Sequence, residues 1–398
     1  MYIEERLSTR VNRAYDTVVC GGGFAGISAA LACARHGNRV LLIEKEFMLG
    51  GLGTAGLVTI FLPICDGCGR QVSFGIAEEL LRLSMKYGAE GLYPDNWLDE
   101  NGERGEGKKR FQVQYNPQLF AILAEKLLRE SGVDILYGTY AVGVDAADGI
   151  IKHIITENKS GRVAYAVKNA VDATGDGDIA KLANAPTDTF KQGNVLASWY
   201  YSLGKNGYNL NTVGCADIPD ADKDDERRAE DRAVRRFSGL NGEELSEQVC
   251  LSHQSVYRDF LNKRNDDEGY VPITIATIPQ VRMTRKIIGN YVLSDKEEHK
   301  HFNDSVGMIS NWKKCGPIYE VPYGTLYSKA VKNLICAGRC VSVTEAMWDI
   351  MRVIPCCCVT GQAAGVAAAM TDDFSALEIA DLQKALQEDG VVLYESEI

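Results

Sequence analysis

The triplet Gly21-x-Gly23-x-x-Gly26 constrains this chain more than any other stretch. Alone the pattern is weak, because a chain with 39 glycines produces it by chance. Its setting makes it specific. The apolar run Thr17–Cys20 precedes it, and Ile27, Ala30, Leu31 and Ala34 follow at helical spacing. His36-Gly37-Asn38 ends that helix, and Val40–Ile43 reads as a buried strand closing on Glu44. A strand–helix–strand unit of this kind is a dinucleotide-binding turn. The first glycine makes the turn, the second admits a pyrophosphate to the backbone, and the third lets helix pack closely on strand. The helix start offers free N–H groups and a positive dipole end to phosphate. Glu44 is placed to accept hydrogen bonds from a ribose.

The rest of the chain is organised around that unit. Phe74–Tyr87 reads as a helix and Gly91–Gly107 as an exposed excursion. Asn116-Pro117 opens a helix running to Glu130. Val133–Val144, Ile150–Glu157 and Arg162–Lys168 read as three meander strands, with turns at Ala147-Asp148-Gly149 and Lys159-Ser160-Gly161, and Asn169–Thr174 as a fourth strand. From residue 187 to 327 the strand–helix alternation stops, and the charge run Asp222–Arg236 reads as a solvated helix face. Lys332–Ala337 restores the buried-strand pattern, and Pro355–Met370 is a small-residue helix. The expected fold is α/β: a Rossmann-like dinucleotide-binding domain with a β-meander, split between residues 1–186 and 328–398. An inserted α+β substrate or cap domain is expected at residues 187–327.

Charge and cysteine usage narrow the partners. A formal charge of −11 argues against nucleic acid, which needs a basic face. No apolar run reaches the roughly 18 residues of a membrane helix, and Met1–Arg13 is polar, unlike a signal peptide. The 12 cysteines of a chain this large, several inside helix or strand patterns, read as reduced thiols. A cytoplasmic protein without nucleic-acid or membrane partner is the expectation.

Later motifs decide which dinucleotide. Gly50-Gly51-Leu52-Gly53-Thr54-Ala55-Gly56 follows Glu44-Lys45, and Asp172-Ala173-Thr174-Gly175-Asp176-Gly177-Asp178 follows a distant strand. The chain then carries Asn333-Leu334-Ile335-Cys336-Ala337-Gly338-Arg339, and after it Pro355–Gly365 with Gly361-Gln362-Ala363-Ala364-Gly365. This layout resembles the FAD-dependent oxidoreductases with a glutathione-reductase-like FAD fold. Within them it resembles the branch with a DATGDGD signature and a closing AGR…GQAAG segment, distantly similar to fumarate reductase flavoproteins. The resemblance covers Tyr15–Thr59, Ala164–Ala185 and Val281–Met370. It implies FAD as cofactor. The implied contacts are Gly21, Gly23, Phe24, Ala25 and Gly26, then Glu44, Lys45, Gly50, Gly51 and Thr54. Ala141, Ala173, Thr174, Gly175, Gly338, Arg339, Gly361 and Ala364 complete the set. It also implies that the closing helix aims its N-terminus at the flavin pyrimidine ring, where a helix dipole stabilises the charge of the reduced form. Relatives usually carry an Asp-x-His pair before the closing motif. This chain reads Met308-Ile309-Ser310-Asn311-Trp312 there, so a relative's proton relay does not carry over. With no second strand–GxGxxG–helix unit, a built-in NAD(P)H domain is not expected, and the electron donor or acceptor is external.

Three residues are the catalytic candidates. Arg352 precedes the closing helix, where a guanidinium suits a reduced flavin or a substrate carboxylate, and Arg282 and Arg285 fall near the same motifs. Cys356 and Cys357 sit at the helix start, where the dipole lowers a thiol pKa, although small-residue packing is the plainer reading of Cys356–Cys358. Cys65-x-x-Cys68 has the spacing of a redox dithiol, and without a second pair or a nearby His no metal site is expected. His253, His299 and His301 read as solvated side chains. The leading expectation is hydride transfer between flavin N5 and a small organic substrate. The alternatives are an electron-transfer subunit using Cys65 and Cys68, and a thiol- or sulfur-linked redox protein using Cys356–Cys358. Substrate identity and oligomeric state, homo-oligomer included, stay open.

Overall fold

The computed structural model describes residues 3–87, 89–90, 112–214 and 235–398. The excursion at 91–107 and all but the last two residues of the charge run 222–236 lie outside the described residues. Labels below number the strands of the main sheet and three helices. Strand β1 (Arg10–Cys20) pairs in parallel with β2 (Val40–Ile43), and β2 with β3 (Asp134–Leu136). The antiparallel meander is β4 (Tyr140–Ala147), β5 (Ile150–Asn158) and β6 (Gly161–Asp172). Strand β6 also runs parallel to β1, from Arg10 opposite Val163 to Cys20 opposite Asp172. Strand β7 (Leu334–Cys336) joins the far end of β6, opposite Ala170–Asp172. The start of β6 therefore lies between the meander and β1, and its end between β1 and β7.

Side chains alternate across this sheet as the pleat requires. Val19, Val40, Leu42, Val171 and Ile335 join the core that holds helices α1 (Phe24–Arg35) and α3 (Ile354–Met370). Val18, Cys20, Leu41, Ile43, Ala170 and Cys336 join the core on the opposite face, with Ile151, Ile154 and Val163 of the meander. Each fully buried Val, Leu or Ile contributes about 1.5–3 kcal/mol. Helices α1 and α3 pack without intervening side chains. A Cβ at Gly361 would run into the Ala25 carbonyl oxygen, and one at Gly365 into that of Ala29. Their small residues allow this close approach.

Strand boundaries differ from the sequence expectation in two places. The run 133–144 is broken at Gly138, whose φ of +56° disfavours any other residue, so β3 and β4 are separate strands in different parts of the sheet. Conversely, β6 continues without a break past Lys168. Its Asn169 side-chain amide donates to the Ala368 and Thr371 carbonyls at the end of α3 (2.9 and 2.7 Å), which pairs the N–H groups of a polar residue inside the layer. The Asp148-Gly149 turn falls where expected, both residues having positive φ.

Within the segment 187–327, Ser198–Gly204, Gly207–Val213 and Val271–Ile275 form an antiparallel sheet covered by the helix Gly242–Arg264. This layer has its own small core of Tyr200, Val213, Val256 and Tyr270. The Tyr200 hydroxyl donates to Asp259 at 2.7 Å and lies 2.8 Å from the Tyr270 hydroxyl. Met283, Leu293, Val306, Ile309 and Tyr319 of the same segment pack in the main core instead. No single helix among the described residues is long and apolar enough to cross a membrane.

Candidate functional site

Two helices begin at one cleft. Helix α1 starts behind Gly23 and α3 behind Val353, and neither receives a side-chain cap. Their first N–H groups therefore lack the usual protein partner. Gly338 sits where the two starts converge: a Cβ there would lie 2.8 Å from the Ala25 Cβ and 3.5 Å from the Cys357 Sγ. Its amide is held by the Thr360 hydroxyl at 2.9 Å. Around these starts the cleft encloses about 1340 Å³ of empty space, its open mouth included.

The three motif glycines divide their work as the spacing predicts. A Cβ at Gly21 or Gly26 would strike backbone, Ala173 for the first and Gly21 itself for the second. At Gly23 a Cβ would meet nothing within 4 Å, so the space over the start of α1 is open to a ligand. Glu44 borders the cleft at the end of β2. It is 5% exposed, and its carboxylate accepts from the Gly22 and Glu46 amides at 2.6 and 2.8 Å. Burial raises its pKa, against the pull of those two amides. Glu44→Ala should weaken FAD binding by about 1–3 kcal/mol, the worth of hydrogen bonds to a charged group. A dissociation constant equal to that of the parent protein would show that Glu44 serves only the loop.

Of the sequence-predicted contacts, Phe24, Ala25, Lys45, Gly50, Gly51 and Ala141 line this cleft with Gly21, Gly23 and Glu44. So do Ala173, Thr174, Gly175, Gly338 and Arg339. Arg339 is tied down, with Nη2 3.0 Å from Asp176 and Nη1 donating to the Val281 and Arg282 carbonyls. Gly26, Thr54, Gly361 and Ala364 stand off the cleft. Gly26 packs α1 on its strand, and the Thr54 hydroxyl donates to the Leu49 carbonyl at 2.5 Å. Gly361 faces α1, and Ala364 is buried in the main core. The end of the GQAAG segment thus serves helix packing, because only the first turn of α3 reaches the cleft.

The catalytic candidates separate in the same way. Arg352 and Cys357 line the cleft, and Cys356 does not. Arg352 caps the C-terminus of α2 (Glu345–Met351), and its Nε donates to Asp349 Oδ1 at 2.8 Å. The expectation that the helix dipole activates these thiols is corrected. Burial pushes Cys357 up to about 12, outweighing the pull of Arg339 and Arg352, and holds Cys356 well above the ordinary thiol value. Cys65 is buried in the main core and Cys68 is exposed, and neither lines the cleft. With FAD bound, iodoacetamide near neutral pH should label exposed Cys68, Cys250 and Cys315 and spare Cys356–Cys358. Mass mapping that finds Cys357 labelled first would restore a thiol role.

Sequence reasoning missed several cleft residues. Asp176 and Asp178 were within a quoted motif and could have been found. Leu245, Ile278, Pro279 and Val281 come from the inserted segment, and nothing in their local pattern marks them. Thr139 and Tyr140, beside Ala141, reach the cleft because β4 starts there.

The family described as "FAD dependent oxidoreductase" matches residues 16–196 and 190–386. Among curated proteins, the vinyl phenol reductase of Lactiplantibacillus plantarum is 27% identical over 178 residues, 39% of this chain and 36% of that protein. The tRNA uridine 5-carboxymethylaminomethyl modification enzyme MnmG 1 of Fusobacterium nucleatum is 27% identical over 212 residues, 50% of this chain and 29% of that one. The chain thus spans about a third of the length of these relatives. Among solved structures, p-nitrophenol 4-monooxygenase PnpA from Pseudomonas putida DLL-E4 aligns over 96% of this chain and 82% of its own. The identity there is 12% and the TM-score 0.44.

Proposed function

The chain belongs to the FAD-dependent oxidoreductase family, and from that premise we propose that it moves hydride between flavin N5 and a small organic substrate. When bound, FAD supplies the redox chemistry. The chain's own residues bind it, orient it and exclude water. The single observation that carries this reading is the continuity of one cleft. It runs from the glycine turn and Glu44 to the start of α3, and Leu245, Ile278 and Pro279 of the inserted segment wall it. These apolar side chains provide a dry lining where a substrate would meet the flavin end. In the open α1 start, the space before Gly23 accepts the pyrophosphate, and Glu44 is at hand for the ribose. The name of the vinyl phenol reductase relative is compatible with a small organic substrate. Electrons come from, or pass to, an external donor or acceptor rather than a built-in NAD(P)H domain. A reducing, cytoplasmic setting fits the described cysteines, which no disulfide joins.

The test is to titrate the purified yellow protein anaerobically with a panel of small organic metabolites and follow flavin absorbance. Bleaching or reoxidation by a small molecule is the expected result. A flavin that exchanges electrons only with a purified protein partner would replace this reading with electron transfer.

A further inference from the structure

Beside the start of α3 lies a charge cluster built on one buried carboxylate, which the cofactor contacts do not explain. Asp349 is fully buried, yet it is a carboxylate in α2. Arg352 grips its Oδ1 through both Nε and Nη2, and Lys313 Nζ forms an ion pair with its Oδ2. The Arg352 and Lys313 side chains are 9% and 26% exposed. Trp312 closes the group. Its indole N–H donates to the Asp349 carbonyl at 2.9 Å, and Lys313 Nζ and Arg352 Cζ lie 5.6 and 5.9 Å from its ring centroid. Two cations on one carboxylate leave one net positive charge. Arg352 brings that charge to the cleft wall, together with Ile354 and Cys357.

Such an arrangement is costly. Each buried ion loses several kcal/mol of solvation, which only good pairing repays. Replacing Asp349 and the largely covered Arg352 by apolar residues would be the cheaper way to fill the space, so pure packing is a poor account of the pair. The segment that delivers Trp312 and Lys313 follows the strand Ser305–Ser310, where the family resemblance led one to look for an Asp-x-His pair.

We propose that Asp349 and Lys313 are positioning residues that hold Arg352 at the cleft wall and set the net charge it presents to the flavin, and thereby its redox potential. This rests on the FAD reading above. A fixed positive charge in a low-dielectric wall favours the reduced, more negative form of the flavin. Asp349 keeps that charge at one unit by cancelling one of the two cations. The guanidinium is fixed by its fork on Asp349, so the charge does not swing into solvent.

The experiment compares midpoint potential and sulfite binding in the FAD-loaded parent, Lys313→Met, Lys313→Arg, Asp349→Asn and the double variant Lys313→Met/Asp349→Asn. Sulfite adds to oxidised flavin more tightly when positive charge is near, so it reads the same field without any substrate. Lys313→Met should lower the potential and weaken sulfite, with about a tenfold change in the redox equilibrium constant, or about 30 mV for a two-electron couple. Asp349→Asn should shift both in the opposite direction, and the double variant should return toward the parent. Lys313→Arg should match the parent. Should Asp349→Asn fail to fold, the contrast between Lys313→Met and Lys313→Arg carries the test alone. Equal potentials throughout, or equal shifts in Lys313→Met and Lys313→Arg, overturn the inference. A parent protein that purifies without FAD sinks the cofactor reading instead.

Discussion

Gly23→Asp should give a folded protein that purifies colourless. Gly23 has an extended backbone (φ −70°, ψ −179°), which any residue adopts, and a Cβ there meets nothing within 4 Å. The apo fold therefore has no reason to object. The new carboxylate would stand at the uncapped start of α1, in the space the pyrophosphate needs. There it would cap the free N–H groups itself and repel the phosphates. Clash, lost hydrogen bonds and like charge act together, so affinity for FAD should fall below detection. Gly23→Ala separates the terms, adding bulk without charge, and should lose less. The measurement is the ratio of flavin to protein absorbance after purification, with circular dichroism to check the fold. Stoichiometric yellow colour in Gly23→Asp would mean that the dinucleotide sits elsewhere.

Gly361→Ala should act in the opposite way, destroying stability with no ligand involved. The added methyl would overlap the Ala25 carbonyl oxygen, and both atoms belong to helices held on the same sheet. Overpacking costs typically 1–3 kcal/mol, and a collision with backbone belongs at the top of that range, about 3 kcal/mol or more. The gain of about 1 kcal/mol that Ala brings over Gly inside a helix is outweighed. Gly242→Ala is the control, since a Cβ there meets nothing within 4 Å. Chemical denaturation should show a large loss for Gly361→Ala and little change for Gly242→Ala. A fully stable Gly361→Ala would refute the close packing of α1 on α3.

The two glycines show where reading the sequence succeeds and where it stops. Both lie in motifs, and both were expected to touch FAD. Gly23 lines the cleft, because the strand–turn–helix unit that places it is encoded within a dozen neighbouring residues. Gly361 does not, because which side of α3 faces α1 depends on how a helix more than 300 residues downstream docks. The same limit applies to charge. The start of α3 was legible from Pro355, and a helix dipole alone would activate Cys357. Desolvation by neighbours from distant segments decides the opposite, and raises the thiol to about 12.

The sequence by itself determined the alternating strands of the sheet, the glycine turn, the acid at the end of β2 and the order of the FAD motifs. Each is a local pattern, written in periods of two or 3.6 residues or in the φ that only glycine tolerates. Tertiary structure alone decided the cleft wall contributed by Leu245, Ile278, Pro279 and Val281, and the ion pairs that Asp349 makes with Arg352 and Lys313. Along the chain Arg352 reads as a cation for a reduced flavin or a substrate carboxylate. In the fold it is one corner of a trio around buried Asp349, because Lys313 reaches Asp349 from just past a strand end, 36 residues away. Burial, pairing and desolvation depend on which elements meet, and no local period records that.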